Sequence, residues 1–254
     1  MRFQIDKNII KKKFIDSIKT YDENATVQKK MAKELIDFVT NDSGTKFNHI
    51  LEIGSGTGLL TKEIVDNIDF KKLITNDLSS DYKSIIRGIV SNLNIDYKFI
   101  EGDAEFSIDF PENNDLVISN ATFQWFNNLN EFVIKSNKLL NKNGILAFTT
   151  FGKNNFNEIS SISNAGLDYI SLEKILENTQ NSFELIHTHT YEEKIFFKTP
   201  IDVLKHIKKT GVNATGSKNI LKPKEFSVNY IKKYSQKEGV HLTYNPLFVI
   251  LKKK

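Results

Sequence analysis

The chain has 254 residues, of which 39% are hydrophobic, and this is enough apolar material to build a folded core. Its 35 lysines and arginines exceed its 31 aspartates and glutamates only slightly, which argues against a dedicated nucleic-acid-binding protein. There is no cysteine, so a disulfide framework, a thiolate zinc site and a cysteine nucleophile are excluded. We expect a cytoplasmic protein, because no apolar stretch resembles a signal-peptide core or a membrane span. We expect no bound metal, because the chain has no cysteine and its histidines do not form a ligand cluster.

Residues 1–40 are predicted to form N-terminal helices, because apolar residues recur there at three- and four-residue spacings. From residue 46 to residue 151, short apolar runs alternate with helical stretches. This rhythm is typical of parallel strands joined by crossover helices, and it predicts an α/β fold with a doubly wound, mostly parallel sheet. No long linker or internal repeat interrupts the chain, so we expect a single domain.

The pattern changes after Phe151. Residues 183–197 alternate in polarity like an edge or antiparallel strand, and residues 240–251 are predicted to be one final strand. Pro246 lies inside that final strand and cannot donate a ladder hydrogen bond, so we expect an edge or a bulge there. Residues 199–239 do not fit the crossover rhythm and are predicted to be a helical insertion that covers one end of the sheet.

A glycine-rich loop follows the first predicted strand of the core, in the sequence Glu52-Ile53-Gly54-Ser55-Gly56-Thr57-Gly58. The loop lies at the carboxyl end of a strand, where open α/β sheets bind ligands. Leu59 stands where the dinucleotide fingerprint G-x-G-x-x-G requires glycine, and no Gly-Lys-Ser/Thr sequence of a P-loop follows. A dinucleotide-dependent oxidoreductase is therefore a weak alternative.

Acidic residues end the next two predicted strands. Asp77 ends the second strand, where its carboxylate could accept hydrogen bonds from both hydroxyls of a ribose. Asp103 and Ala104 follow the third strand. Each acid alone would be ordinary at a strand end. The glycine loop and these two acids lie at three successive strand ends, however, and together they indicate a ligand site.

The E-x-G-x-G-x-G loop, together with these acids, resembles the first motif of class I S-adenosylmethionine (SAM)-dependent methyltransferases. The resemblance implies a seven-stranded Rossmann-like sheet and SAM as the cofactor. In that family the glycine loop contacts the methionine part of SAM, and Glu52 would face its ammonium group. The implied cofactor-binding residues are Glu52, Gly54, Gly56, Gly58, Asp77, Leu78, Asp103, Ala104 and Asn120.

The fourth predicted strand leads into the segment 119–126, where acceptor-binding residues usually lie. The N6-adenine DNA methyltransferases carry an Asn/Asp-Pro-Pro-aromatic motif there, and this chain lacks it, which counts against nucleobase methylation. The aromatic residues Phe123, Trp125 and Phe126 are explained by core packing as readily as by an acceptor pocket.

Five segments together resemble the malonyl-acyl-carrier-protein O-methyltransferases of biotin synthesis, and they span nearly the whole chain: 14–22, 119–126, 144–151, 204–214 and 242–244. The resemblance implies methyl transfer from SAM to the free carboxylate of a malonyl thioester, which starts pimeloyl synthesis. A carboxylate is already ionised at neutral pH, so no catalytic base is expected. Tyr21 is expected to close over the cofactor, and Gln124 and Trp125 to border the acceptor carboxylate.

The implied partner is an acidic acyl-carrier protein carrying malonyl, or else malonyl-CoA. The candidate docking residues are lysines of the insertion, although a solvated helix face would explain them equally well: Lys205, Lys208, Lys209, Lys218, Lys222 and Lys224. His187 and His189 share one face of a predicted strand without a nearby acid, which indicates surface histidines rather than a metal site.

Two other functions stay open at this point. One is an O-methyltransferase that acts on another small carboxylic acid or on a quinone precursor. The other is a SAM-binding protein without catalytic activity.

Overall fold

Two β-sheets organise the computed structural model, which describes residues 5–106, 109–163, 166–211 and 222–254. In chain order the strands are β1 (His49–Ile53), β2 (Lys72–Asp77), β3 (Asp96–Glu101), β4 (Asn114–Ser119), β5 (Leu140–Phe151), β6 (Phe183–Thr190), β7 (Glu193–Phe197), β8 (Ser235–Gln236), β9 (Gly239–Tyr244) and β10 (Pro246–Lys253).

The larger sheet has seven strands in the order β3-β2-β1-β4-β5-β10-β6. Strands β1 to β5 pair with their neighbours in parallel, whereas β10 is antiparallel to both β5 and β6. The predicted doubly wound, mostly parallel seven-stranded sheet is confirmed. Strand β6 lies at the edge, as the polarity of residues 183–190 predicted.

The helices connect these strands and cover both faces of the large sheet. They are α1 (Lys7–Asn24), α2 (Thr26–Ser43), α3 (Leu59–Asn67), α4 (Lys83–Val90), α5 (Leu129–Leu139), α6 (Asn157–Ser163), α7 (Leu172–Thr179), α8 (Pro200–Lys209) and α9 (Pro223–Tyr234). Local sequence sets several boundaries. For example, Thr199 caps α8 by accepting a hydrogen bond from the Asp202 N–H, and Pro200 follows at the first helical position. In the described ranges, no helix is long and apolar enough to cross a membrane.

Continuous apolar runs form the central strands because both of their faces are buried. In β4, Leu116 and Ile118 face the cluster that includes Leu35 of α2, while Val117 faces the opposite cluster. That second cluster includes Phe132 of α5 and Ile175 of α7. The two-residue alternation of a strand therefore assigns each residue to one of two cores.

The carboxyl-terminal half differs from the prediction in two places. Residues 183–197 form two strands rather than one, because β7 leaves the large sheet after β6 and pairs with β9. Residues 240–251 are likewise not one strand. Strand β9 belongs to a three-stranded sheet of order β7-β9-β8, and β10 belongs to the large sheet.

Asn245 explains the second difference, because it holds the chain at the point where β9 gives way to β10. Its backbone N–H donates to Asn155 Oδ1 over 3.0 Å, and its side-chain amide donates to the Tyr191 carbonyl over 2.8 Å. Pro246 is then the first residue of β10, paired opposite Phe151. A strand start tolerates proline, so the expected edge or bulge at Pro246 is wrong. The register shift in β10 lies between Ile250 and Leu251.

The predicted helical insertion before the last strand is present as α8 and α9. Helix α9 is anchored by Phe226 and Tyr230, which are buried, and the Tyr230 hydroxyl donates to the His241 carbonyl over 2.7 Å. Helix α8 contacts both α9 and α1. Lys218 and residues 212–214, which the sequence analysis singled out, lie outside the described residues.

Replacing Phe132 with alanine should lower the free energy of unfolding by about 3–5 kcal/mol, because it leaves a cavity in the core beneath α5. Phe132 is 1% exposed, and its ring lies 5.1 Å from that of Phe123. Ile134 on the same helix is 53% exposed, so Ile134→Ala should change the free energy by less than about 0.5 kcal/mol. Chemical denaturation measures both, and equal losses would contradict this difference in burial.

Candidate functional site

A cleft that opens to solvent lies at the carboxyl ends of β1 to β4. Its floor comes from the loops that follow these strands, and residues of α1 line it as well. The crossover topology predicts a site at this edge of the sheet, because the ends of parallel strands meet there.

The glycine loop after β1 forms one wall of the cleft. Gly54 has a φ of 72°, and a Cβ atom there would lie 2.2 Å from Thr122 Oγ1, so only glycine permits this close approach. Gly56 has a φ of 49°, and a Cβ atom there would meet no atom within 4 Å. The chain thus leaves open space beside Gly56, where a ligand can approach the backbone.

Asn76 ties the loops after β1, β2 and β3 together. Its backbone carbonyl accepts hydrogen bonds from the N–H groups of both Gly54 and Ser55, each over 2.9 Å. Its side-chain amide donates to the carbonyls of Ile100 and Gly102, each over 3.0 Å. One buried residue therefore fixes three strand ends relative to one another through its backbone carbonyl and its side chain, a role that was not predicted from the sequence.

Asp77 lines the cleft with its carboxylate held by two backbone donors. The Gly56 N–H donates to Oδ2 over 2.8 Å, and the Ser79 N–H donates to Oδ1 over 3.2 Å. Burial raises the pKa of Asp77 to about 6, and these hydrogen bonds oppose part of that increase. Asp77 is therefore mainly ionised at pH 7 but becomes protonated in mildly acidic solution.

The loop after β3 brings Asp103 and Ala104 to the same cleft. Lys7 of α1 lies 3.8 Å from Asp103 Oδ1 and 2.9 Å from Glu105 Oε2. Glu105 also accepts hydrogen bonds from the N–H groups of Asn127 and Asn128. Glu105 thereby links the start of α1 to the loop before α5.

Helix α1 contributes the residues that cover the cleft. Ile10, Phe14 and Tyr21 all line it, and the Phe14 ring stands edge-on to Trp125 with centroids 5.6 Å apart. Burial, together with the carboxylates of Asp22 and Asp77, raises the pKa of Tyr21. The Tyr21 hydroxyl therefore remains protonated and able to donate a hydrogen bond.

The aromatic segment after β4 divides between core and cleft. Phe123 is buried against the rings of Phe126, Phe132 and Phe148, as the core-packing interpretation predicted. Trp125 lines the cleft, and its indole N–H is buried without a partner among the described residues. An unpaired buried donor is costly, so this N–H is free to donate to an acceptor atom of a ligand.

Asn120 lines the cleft at the end of β4. Its side-chain amide donates to the Gln28 carbonyl over 3.0 Å, and its Oδ1 accepts from Thr149 Oγ1 over 2.6 Å. These two bonds fix the orientation of the side chain relative to α2 and β5.

Comparison with known proteins identifies the family. Residues 51–148 match the family model described as a methyltransferase domain. A malonyl-[acyl-carrier protein] O-methyltransferase of Calditerrivibrio nitroreducens is 39% identical over 237 residues, which cover 92% of this chain and 91% of that protein. Another from Chlorobium luteolum is 35% identical, with 98% of this chain and 96% of that protein covered.

The chain belongs to the malonyl-[acyl-carrier protein] O-methyltransferase family. The resemblance noted in the sequence is thereby confirmed. Among solved structures, the N-methyltransferase NodS from Bradyrhizobium japonicum in complex with S-adenosyl-L-homocysteine is similar in fold. Its TM-score is 0.53 at 10% identity, and the match covers 87% of this chain and 85% of NodS.

The structure brings most of the predicted site residues of this methyltransferase to one cleft. These are Gly54, Gly56, Asp77, Leu78, Asp103, Ala104, Asn120, Tyr21 and Trp125. Gly58 does not line the cleft, and a Cβ atom there would lie 2.3 Å from Ile89 Cδ1, so α4 packing explains it. Gln124 does not line the cleft either, because its amide donates to the Ala121 carbonyl over 2.5 Å. Their roles toward a ligand stay predictions.

Glu52 also lies outside the cleft wall. Its side chain is fully buried, and Oε2 accepts a hydrogen bond from Thr61 Oγ1 over 2.7 Å, while Oε1 has no partner among the described residues. Burial raises the pKa of Glu52 to about 8, against the opposing effect of the Thr61 hydrogen bond. The carboxyl is thus mostly protonated at pH 7 in the free protein.

The histidines lie away from the cleft. His187 and His189 both lie against the Phe38 ring, with centroids 4.3 and 5.7 Å away, so they share one face of β6 as predicted. His206 Nε2 lies 2.8 Å from the Tyr244 hydroxyl, and burial lowers the pKa of His206 to about 4. Over the described ranges, no group of three or more histidine, aspartate or glutamate side chains could hold a metal ion.

Three residues that were not predicted from the sequence also line the cleft: Lys7, Ile10 and Lys11. They continue the three- and four-residue spacing of Phe14 and Tyr21 toward the start of α1. That periodicity could have placed them on the same helix face. It could not have shown that this face covers the strand ends.

Glu52→Gln should flatten the dependence of stability on pH. The pKa of Glu52 is raised in the folded state, so its contribution is present below its ordinary value of 4.5 and is lost as pH increases through about 8. Relative to wild type, the variant should gain on the order of 2–4 kcal/mol between about pH 5 and pH 8. Urea unfolding across this range measures the effect. Exposed Glu23→Gln is the control, and parallel curves for wild type and Glu52→Gln would contradict the assignment.

Proposed function

We propose that the cleft binds SAM and that the protein methylates the free carboxylate of a malonyl thioester on acyl-carrier protein. The similarity to malonyl-[acyl-carrier protein] O-methyltransferases over nearly the whole chain carries this proposal. The product, a malonyl methyl ester, would start the pimeloyl branch of biotin synthesis. A cytoplasmic location is part of the same proposal.

The residues of the cleft fit a nucleoside linked to an amino acid. Asp77 offers a carboxylate for a ribose, and Leu78 and Ala104 offer apolar surface beside Asp103 for an adenine. Open space beside Gly56 suits the part of the ligand that approaches the backbone. When bound, SAM supplies a sulfonium-activated methyl group.

Methyl transfer to a carboxylate requires the protein to align the two reactants and to exclude water, but it does not require proton transfer. The acceptor carboxylate is ionised at neutral pH, so the protein need not supply a general base to prepare it for methylation. Tyr21 and Trp125 line the cleft and carry an O–H and an N–H donor. We assign to these two donors the orientation of the acceptor carboxylate, and the unpartnered indole N–H of Trp125 supports this. Gln124 would take part only after releasing the Ala121 carbonyl.

The proposed partner is the acidic acyl-carrier protein. The described lysines of the predicted docking set are all exposed, which supports a positively charged surface: Lys205, Lys208, Lys209, Lys222 and Lys224. Lys205 is paired with Asp202 at 3.0 Å, so it contributes less net charge than the others.

Incubation with SAM and malonyl-acyl-carrier protein should add one methyl group to the malonyl carrier, as measured by mass spectrometry. Acetyl-acyl-carrier protein is the matched control, because it has the same carrier and thioester but no free carboxylate. It should remain unmodified. Methylation of free small acids or of a quinone precursor, with no methylation of the malonyl carrier, would refute the proposal and favour those acceptors.

Asp77→Asn should weaken SAM binding by about tenfold to a hundredfold, because an amide accepts fewer hydrogen bonds from a ribose than a carboxylate does. Wild-type affinity should also fall as pH decreases below the raised pKa of Asp77, about 6, because protonation removes an acceptor. The variant should lack that dependence. Calorimetry from pH 5 to pH 8 measures both effects.

Asp81→Asn is the matched control for Asp77→Asn, since Asp81 is exposed and does not line the cleft. Its SAM affinity should stay within about twofold of wild type. Unchanged affinity in Asp77→Asn would remove Asp77 from the cofactor site.

A further inference from the structure

Helix α9 presents an exposed face that combines aliphatic and basic side chains. Val228 and Ile231 are 59% and 51% exposed, although both are large aliphatic residues. Lys224 and Lys232 lie four residues before and after Val228 on the same side of the helix. We call the set Lys224, Val228, Ile231 and Lys232 the α9 face.

The α9 face is held rigidly, because the opposite side of the helix is fixed. Phe226 and Tyr230 are buried there, and the Tyr234 hydroxyl lies 2.6 Å from Ser161 Oγ. Single exposed aliphatic residues need no explanation, but two adjacent ones on a rigid helix form a small apolar patch. Such a patch flanked by charges is typical of a protein-docking surface.

The charge of the α9 face indicates which kind of partner it can bind. Among the described residues, no carboxylate lies within salt-bridge distance of Lys224 or Lys232. Exposed Glu225 lies three residues before Val228, so the face carries two lysines beside one carboxylate and stays positive overall. An acidic partner therefore complements it better than a second, equally positive copy of this chain. A partner with acidic and aliphatic side chains on one helix would complement the face in both respects.

The α9 face is connected to the cleft through rigid elements. Helix α9 packs against α8, and the end of α8 lies on α1. The Thr20 hydroxyl of α1 donates to the Lys209 carbonyl over 3.1 Å, and a Cβ atom at Gly211 would lie 3.0 Å from the Phe14 ring. A protein docked on α9 would therefore be separated from the helix that covers the cleft by α8 alone.

We infer that the α9 face is the docking surface for an acidic helix of the acyl-carrier protein, with Val228 and Ile231 forming its apolar centre. This inference rests on the proposed function, since the partner is the carrier of the malonyl group. It adds Val228, Ile231 and Lys232 to the lysines predicted from the sequence, and it places the contact on α9.

The test compares two double variants of the same design. Val228→Glu with Lys232→Glu reverses the character of the α9 face. Ile134→Glu with Lys138→Glu is the matched control on α5, with the same four-residue spacing, a 53% exposed aliphatic residue and a lysine in the last helical turn. Helix α5 packs on the opposite side of the large sheet from α9.

Binding of fluorescently labelled holo-acyl-carrier protein, followed by anisotropy, should weaken about tenfold or more in the α9 variant. The α5 variant should bind within about twofold of wild type. With malonyl-acyl-carrier protein as substrate, KM should increase in the α9 variant, whereas methylation of malonyl-pantetheine, which has no carrier, should not change.

Unchanged carrier binding in the α9 variant would overturn the inference. Equal loss with malonyl-acyl-carrier protein and malonyl-pantetheine would also overturn it, because damage to the cleft would then explain the loss. A wild-type dimer that the α9 variant dissociates would assign the face to self-association instead. If wild type binds the carrier through α9 but methylates no malonyl substrate, the docking inference stands and the proposed function fails.

Discussion

The candidate site depends on one constraint, the fixation of three strand ends by Asn76. Its backbone carbonyl receives the two N–H groups that begin the glycine loop, and its side chain holds the loop after β3. Both Gly56 and Asp103 take their positions from those loops. Because the amide is 2% exposed, breaking these bonds would leave buried polar groups unpaired, so the arrangement is strongly maintained.

The cleft and strand β1, which leads into it, contain features that cost stability. Burial raises the pKa of both Glu52 and Asp77, so their charged forms are disfavoured in the free protein. Ala121 lines the cleft with a φ of 49°, a conformation that non-glycine residues rarely adopt. Strained backbone and buried acids concentrate at functional sites, where a ligand can offset them. The α5 core and the apolar strands of the large sheet supply the stability that permits this.

Much of the fold could be predicted from local patterns. The alternation of apolar runs and helices defined the sheet, and Thr199-Pro200 marked the start of α8. The sheet that each carboxyl-terminal strand joins was harder to predict, because β7 and β9 have strand patterns that match either sheet. Asn245 holds the chain between β9 and β10 through hydrogen bonds to Asn155 and Tyr191, which are far away in sequence. Local periodicity carries no information about such partners.

The sequence by itself identified the family, and it indicated the glycine loop and the acids that line the cleft. Glycines that permit positive φ, and acids at successive strand ends, are local requirements that residue type and spacing reveal. The tertiary structure alone decided that α1 covers the cleft, that Phe123 packs in the core while Trp125 lines the cleft, and that Glu52 points to Thr61. The direction of a side chain depends on what packs around it, and those neighbours come from distant parts of the chain.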